Sequence, residues 1–199
     1  MSAIHKIKSD LIKPRPLLKW AGGKSQLLAE IIPKVPSKYG KYIEPFFGGG
    51  ALFFSLNPEV GVIADVNDEL INLYNTARLY PELLINALKI HSYNSEHYYE
   101  VRSLDWTKLN PVDAAARTIF LNRTCFNGLY RVNKKGQFNV PFGRHINPRI
   151  CDEEGINSAS AAFENISILC QDYKKVLSDS AERGDFIFLD LLWTPQSRQ

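Results

Sequence analysis

Three consecutive glycines and one carboxylate occupy positions where an α/β protein could bind a ligand. The glycines at 48–50 come just after the predicted buried strand 41–46, and Asp65 ends the next apolar run, 61–65. Glycines after a strand let a ligand approach the backbone, and a carboxylate on the next strand can accept hydrogen bonds from ribose hydroxyls. The third glycine of the dinucleotide pattern G-x-G-x-x-G would fall at Phe53 and is absent. The pattern favours either a nucleoside site or a tight turn at a strand end.

A second candidate site stands at the end of the last apolar run. Asp190 ends the run 185–190, and Trp193 follows it closely. A carboxylate and an aromatic ring at the carboxyl edge of a parallel sheet are well placed for ligand chemistry. An aspartate that caps a turn beside a core tryptophan would give the same pattern, so both interpretations stay open at this point.

The run Ala21 to Ser25 invites comparison with phosphate-binding loops. The pattern G-x-x-x-x-G-K-[ST] would need glycine at Leu18, and no apolar strand precedes the run. The sequence therefore argues against an NTPase.

A basic segment lies in the middle of the chain. Residues 114–151 contain no acidic residue, and the stretch 126–149 has too many glycines and prolines for a helix. Cations interleaved with aromatic rings suit nucleic acid, because cations neutralise phosphates while other side chains read base edges. A solvated basic loop over buried rings is the alternative. The basic residues are Arg123, Arg131, Lys134, Lys135, Arg144 and Arg149, and the rings are Phe126, Tyr130, Phe138 and Phe142.

The elements that must position these residues alternate between strand and helix. Apolar runs at 41–46, 61–65, 165–169 and 185–190 predict strands, helical spacing appears at 25–32, 51–56 and 69–80, and 82–125 looks mostly helical. This alternation predicts an α/β fold with a parallel sheet, interrupted by the basic segment. Residues 1–19 are basic and are expected to form a loose arm.

Composition narrows the class of protein. A content of 45% hydrophobic and 23% charged residues is that of an ordinary soluble domain. Neither a run of about 18 apolar residues nor the apolar core of a secretory signal is present, so we expect a cytoplasmic protein. Cys125, Cys151 and Cys170 are too widely spaced to indicate a disulfide or zinc framework, and no metal is expected.

Four runs, in order along the chain, carry a resemblance to a known family. They are 18–24 (LKWAGGK), 44–50 (EPFFGGG), 63–67 (IADVN) and 122–144, the last with FNGLYR and GQFNVPFGR. These runs resemble motifs of the Dam-like (D12 class) DNA adenine-N6 methyltransferases of the GATC-reading type. The resemblance covers nearly the whole chain. It implies a Rossmann-like methyltransferase sheet that uses S-adenosylmethionine and acts on double-stranded DNA.

The resemblance also implies three regions. Residues 1–81 would form the cofactor-binding part, 82–160 a mostly helical target-recognition insertion, and 161–199 the return to the methyltransferase domain with the catalytic motif.

The resemblance assigns cofactor roles to residues in the first and last regions. Asp65 would hold the ribose hydroxyls, and Asp172 would lie near the cofactor's adenine. The other cofactor positions are Trp20, Lys24, Glu44, Phe46, Gly48, Gly50 and Asp190.

In the insertion the resemblance implies contacts with DNA. Arg131 is the expected guanine reader, because its planar fork can bond O6 and N7 together. Phe126 could stack or wedge where the target adenine leaves the duplex. The matching positions are Phe126, Asn127, Leu129, Arg131, Pro141 and Arg144.

Catalysis in the family uses the motif D-P-P-Y. Its carboxylate and a neighbouring carbonyl accept hydrogen bonds from the adenine amino group, which localises the nitrogen lone pair for attack on the sulfonium methyl group. Asp190 and Trp193 match the first and last positions, and both prolines are replaced, by Leu191 and Leu192. Proline fixes φ near −65°, so these replacements weaken the local control of the carbonyl.

The family normally continues with further strands after this motif, whereas this chain stops at Gln199. We expect the C-terminal part of the sheet to be missing. We therefore expect this chain to be weakly active, or a remnant that binds DNA and S-adenosylmethionine without turnover.

Overall fold

The fold is taken from a computed structural model, which describes residues 13–20 and 24–190. A four-stranded parallel sheet with the order β3-β2-β1-β4 forms its centre. The chain builds β1, β2 and β3 outward in one direction and then returns β4 to the other side of β1. This doubly wound arrangement confirms the predicted α/β class. The strands are β1 (Tyr42–Glu44), β2 (Gly61–Asp65), β3 (Ile166–Cys170) and β4 (Phe186–Ile187).

Strand register brings the predicted site residues to one edge. Tyr42 pairs with Gly61 on one side and with Phe186 on the other, so β2, β1 and β4 lie side by side. The predicted last strand, 185–190, is longer than the ladder that forms. One further backbone bond, from Phe188 N to the carbonyl of Ile43 (2.8 Å), continues the pairing.

The helices begin where the sequence offers a cap. Asn67, Asn94, Asn110, Asp152 and Asp172 each accept a backbone N–H in the first turn of the helix that follows, as short polar side chains at this position commonly do. The α-helices of the described residues are α1 (Leu28–Ile31), α2 (Ala51–Leu56), α3 (Asp68–Leu79), α4 (Pro81–Lys89), α5 (Ser95–Ser103), α6 (Pro111–Thr124), α7 (Glu153–Ala162) and α8 (Tyr173–Ser180).

The sheet is covered on both faces. Tyr42 and Ile63 face a large core shared with α2, α3, α4, α6 and α7, whereas Ile43 and Val62 face a smaller core with Val176 of α8. Alternate residues of each strand therefore enter opposite layers, as the two-residue period of a strand requires. Burial on both faces explains why the central strands β1 and β2 carry nearly continuous buried runs.

The region predicted as an insertion shares the main core. Helix α6 contributes Ala115 and Ile119 to the large core, and Phe120 and Leu121 to a second core beside the basic segment. Both cores are thus tied to one helix. The boundaries of the insertion at 82 and 160 remain a prediction.

For residues 13–20 the expectation of a loose arm is wrong. Leu17 and Leu18 are buried, and the Arg15 guanidinium makes three hydrogen bonds of 2.7–3.0 Å to the Asp152 carboxylate. The apolar pair Leu17–Leu18 joins the main core, so the segment is held against α7 and the sheet. No helix within 13–20 and 24–190 is long and apolar enough to cross a membrane.

Candidate active site

The carboxyl ends of β1, β2 and β4 meet at one edge of the sheet. Glu44 ends β1, Asp65 ends β2, and Asp190 follows β4. The strand order reverses between β1 and β4, and ligands of open α/β sheets bind at such a switch point. The sheet thus brings three predicted site residues, far apart in sequence, to one crevice.

The glycine loop after β1 adopts a backbone that side chains would strain. Gly48 has φ +49° and Gly50 has φ +65°, both in the left-handed region that favours glycine. The Gly48 N–H donates to Asp65 Oδ2 (3.0 Å), and its carbonyl accepts from the Tyr74 hydroxyl (2.6 Å). The loop is therefore fixed from β2 and from α3 at once.

Trp20 lies against this loop. A Cβ built on Gly48 would come within 2.8 Å of the indole Nε1, and one on Gly49 within 2.8 Å of the Trp20 Cβ. Only glycine leaves room for the half-buried indole here. The sequence placed Trp20 at the cofactor pocket through the resemblance, and the structure brings it to the glycine loop.

Asp65 is held in a defined orientation. Its two carboxylate oxygens accept backbone N–H groups, one from Gly48 and one from Asn67, each at 3.0 Å. An ionised carboxylate offers about four acceptor positions, so it can receive further hydrogen bonds from hydroxyls. Its place at the end of β2 suits the role predicted for it.

Glu44 is a buried carboxyl group beside a second carboxylate. Burial raises its pKa to about 8; the hydrogen bond from the Tyr42 hydroxyl (2.7 Å) opposes this rise, and the negative charge of Asp190 adds to it. A buried carboxyl group beside a second carboxylate forms a site that a cation would stabilise.

The remaining predicted cofactor residues take different positions. Phe46 packs on Tyr173 with ring centroids 5.2 Å apart. Asp172 is exposed after β3, and its carboxylate accepts the Lys174 N–H at 2.9 Å. The Lys24 side chain and the whole of Trp193 lie outside the described residues.

The basic segment folds into a short hairpin-like loop after α6. The loop contains a 3-10 turn (Phe126–Gly128) and two antiparallel bridges. The bridges pair Cys125 with Phe142 and Val132 with Phe138. Asn127 has φ +56°, which asparagine tolerates better than most residues. The prediction that glycines and prolines exclude an α-helix here is confirmed.

This recognition segment, residues 126–144, brings together the residues predicted to contact DNA. The Phe126 N–H donates to the Pro141 carbonyl (2.9 Å), so these two residues are neighbours. Arg131 Nε donates to Asn139 Oδ1 (2.7 Å), which orients an exposed guanidinium. Phe126, Asn127, Arg131, Pro141 and Arg144 are exposed, whereas Leu129 is half-buried against the second core.

Sequence reasoning assigned no cofactor or catalytic role to three residues that hold the site together. Tyr74 fixes the glycine loop from α3, and Tyr130 stacks on Trp20 with ring centroids 4.8 Å apart. The buried Asn122 bonds both the N–H and the carbonyl of Lys19. For Tyr74 and Asn122, a polar side chain on the buried face of a helix could have indicated a structural contact. The sequence does not show which residue each of them contacts.

The sequence of this chain is similar to those of known DNA methyltransferases. A sequence profile described as the D12 class N6 adenine-specific DNA methyltransferases matches residues 20–191. The chain is 46% identical over 205 residues to the type II methyltransferase M1.LlaDCHI of Lactococcus lactis subsp. cremoris. This alignment covers 99% of this chain and 71% of that protein.

Two further relatives give a similar result. The type II methyltransferase M.MjaIII of Methanocaldococcus jannaschii is 38% identical over 92% of this chain and 71% of its own length. The DNA adenine methylase of Serratia marcescens is 35% identical over 93% of this chain and 69% of its own length. The chain thus spans about 70% of the length of these relatives.

Proposed function

The chain belongs to the D12 class of N6 adenine-specific DNA methyltransferases, and we propose that it transfers a methyl group from S-adenosylmethionine to adenine N6 within GATC in double-stranded DNA. Type II methyltransferases and DNA adenine methylases are both among the similar proteins. We further propose a role in restriction–modification in the cytoplasm, with genome marking as the other use of the same reaction.

One observation carries this proposal: the strand-end crevice and the recognition segment meet. Trp20 lies on the glycine loop on one side and stacks on Tyr130 of the recognition segment on the other. An enzyme that modifies a base must bring the base and the methyl donor to one place. The contact between the two regions provides that proximity.

The described residues fit S-adenosylmethionine. The buried Glu44 carboxyl beside Asp190 suits the cationic methionine end, Asp65 suits the ribose hydroxyls, and the Trp20 indole packed on the glycine loop offers an aromatic surface. Phe46, Lys24 and Asp172 would complete the pocket, as the resemblance implies. When bound, the cofactor supplies an electrophilic methyl group on its sulfonium.

The acceptor nitrogen must be activated by the protein. The lone pair of the adenine amino group is delocalised into the ring, and the base must first leave the duplex at a cost of about a few kcal/mol. We propose that Asp190 accepts a hydrogen bond from the amino group, which localises the lone pair for attack, and that Trp193 stacks on the flipped base. The amino proton would then leave to solvent.

DNA would lie along the exposed face of the recognition segment. Arg131, oriented by Asn139, would bond guanine O6 and N7, and Phe126 would stack where the adenine is displaced. Asn127, Leu129, Pro141 and Arg144 would complete this surface. Phosphate neutralisation by the basic segment would make binding depend on salt.

A second candidate function is binding without turnover. Leu191 and Leu192 stand where the family has two prolines, so nothing local fixes the carbonyl that should help Asp190. Misplacing a catalytic group by a small distance can reduce the rate about 100-fold. Cofactor and DNA would still bind, since most of their proposed contacts lie outside residues 190–193.

The test is transfer of labelled methyl from S-adenosylmethionine to a GATC duplex, with a matched duplex in which the adenine is replaced. Label on the GATC duplex alone supports the proposed reaction and target. No label, with both ligands bound, favours the binding function, and Leu191→Pro with Leu192→Pro should then raise the rate. Loss of all label in Asp190→Ala at saturating S-adenosylmethionine, with DNA affinity retained, would support the assigned catalytic role of Asp190.

A further inference from the structure

Tyr130 stands between the two halves of the site. Its ring stacks on Trp20, with centroids 4.8 Å apart and an angle of 28° between the rings. On its other side the ring meets Phe138 edge-on at 5.7 Å. Tyr130 directly precedes Arg131, the proposed guanine reader, so a side chain of the recognition segment forms part of the surroundings of the cofactor-side tryptophan.

The hydroxyl of Tyr130 is also fixed. It donates to Glu69 Oε2 (2.6 Å), while Glu69 Oε1 accepts from Arg117 Nη1 (2.9 Å) and from the Thr118 hydroxyl (2.8 Å). Glu69, Arg117 and Thr118 are all buried. Glu69 lies in the first turn of α3, directly after the Asp65 loop. The ring is therefore held between Trp20 and a buried polar network at the start of this helix.

The Asn122 side chain provides a second link between the Trp20 segment and the recognition segment, through backbone groups. The Asn122 side chain accepts the Lys19 N–H (2.8 Å) and donates to the carbonyls of Lys19 (2.9 Å) and Gly128 (3.1 Å). A Cβ on Gly128 would come within 2.5 Å of the Lys19 side chain. The segment that carries Trp20 and the start of the recognition segment are thus hydrogen-bonded to one side chain, and the stack of Tyr130 on Trp20 is a second connection between them.

From these contacts we infer that Tyr130 is a positioning residue that couples cofactor binding to DNA recognition, in addition to any contact of its own with DNA. The inference rests on the proposed function. A cofactor seated on the glycine loop restricts Trp20, Trp20 restricts Tyr130, and the neighbouring Arg131 is ordered before DNA arrives. The first ligand to bind bears the entropy cost of ordering Trp20, Tyr130 and Arg131, so the second ligand does not bear it again. Each ligand therefore strengthens the binding of the other by the same factor.

The experiment measures affinity for a GATC duplex with and without saturating S-adenosylhomocysteine, which cannot donate a methyl group. For the wild-type protein we expect the duplex to bind at least about fivefold more tightly with S-adenosylhomocysteine, at the lower end of common coupling factors. In Tyr130→Leu the factor should fall to within about twofold of unity; the ratio of the two affinities is the readout, whatever the affinity for S-adenosylhomocysteine alone. Tyr130→Phe keeps the stacked ring and should retain most of the coupling.

Tyr93→Phe is the matched control. The Tyr93 hydroxyl donates to the Gly143 carbonyl (2.7 Å) and accepts the His145 N–H (2.7 Å), so this tyrosine supports the same region through a different contact. Its loss should weaken DNA binding equally with and without S-adenosylhomocysteine. A residue with a merely structural role would follow this pattern, whereas Tyr130→Leu should remove the coupling itself.

A measurement on the wild-type chain covers the case in which Tyr130→Leu does not fold. S-adenosylhomocysteine should slow amide hydrogen exchange at Leu129 to Arg131 in the absence of DNA. The inference is overturned if exchange there does not change, if wild-type binding of the two ligands is independent, or if Tyr130→Leu keeps the full factor. In those cases the proposed function stands. A wild-type chain that binds neither ligand would instead refute the proposed function, and the inference with it.

Discussion

Burial of the Glu44 carboxyl predicts how the stability of the protein depends on pH, and this prediction can be tested without measuring catalysis. Glu44→Gln keeps the shape of the side chain and an oxygen that can accept the Tyr42 hydroxyl bond, but it removes the ionisation. We expect the wild-type protein to lose stability relative to Glu44→Gln as the pH rises. The physical reason is that ionised Glu44 would be a buried charge beside the Asp190 carboxylate.

The sign and size follow from the raised pKa. Between the ordinary value of 4.5 and the folded value of about 8, the folded state binds more protons than the unfolded state, so the free energy of unfolding falls as the pH rises through this window. Each pKa unit corresponds to about 1.4 kcal/mol, and the upper limit of the change is therefore roughly 5 kcal/mol. Below pH 4.5, Glu44 is protonated in both the folded and the unfolded state, so its full contribution to the free energy of unfolding of the wild-type protein is present.

Urea unfolding at pH 5, 7 and 9 measures the difference. The free energy of unfolding of Glu44→Gln minus that of the wild type should grow by about 2–4 kcal/mol from pH 5 to pH 9, because other titrating groups cancel in the difference. Glu164→Gln, at an exposed glutamate, is the control and should leave the pH dependence as in the wild type. A difference for Glu44→Gln that stays constant from pH 5 to pH 9 would refute the reasoning.

Three further predictions follow from other contacts. Asn122→Ala leaves buried backbone groups without their partner and should lower the free energy of unfolding by about 2–4 kcal/mol in urea titration, and an unchanged value would contradict the role of the amide. Gly48→Ala, whose Cβ would meet Trp20 at 2.8 Å, should weaken cofactor binding at least about 10-fold by calorimetry, since close packing leaves no space. Gly136→Ala, also at positive φ but with nothing within 4 Å, should strain only its own turn and leave cofactor affinity unchanged. Arg131→Ala should cost about 1–3 kcal/mol on a GATC duplex and less on a duplex with the guanine replaced, and equal losses on both would remove it as the guanine reader.

Local patterns were sufficient for most of the fold. The runs at 61–65 and 165–169 became β2 and β3 nearly residue for residue. The central strand β2 is buried on both faces and therefore needs a continuous apolar sequence. The glycines at 48–50 signalled a strained turn, and two of them do have positive φ. The last strand was predicted too long, since an apolar run does not say how far a neighbour pairs with it.

Distance along the chain limited the prediction of the site. Lys19 and Asn122 are 103 residues apart, and Glu69 and Tyr130 are 61 apart, yet both pairs are hydrogen-bonded. No short-range pattern marks such partners. The N-terminal arm was misjudged for the same reason, because the Asp152 that binds Arg15 is 137 residues away.

The sequence by itself determined the α/β class, the positions of the glycine loop and Asp65, and the family to which the chain belongs. These features depend on the order of residues within short motifs and on apolar periods of two to four residues, both of which are visible in the sequence. Only the tertiary structure decided that Glu44 and Asp190 share a crevice, that Trp20 lies on the glycine loop, and that Tyr130 joins that crevice to the recognition segment. Those relations arise from packing between elements distant in sequence, where burial and the need to satisfy buried polar groups select the partners.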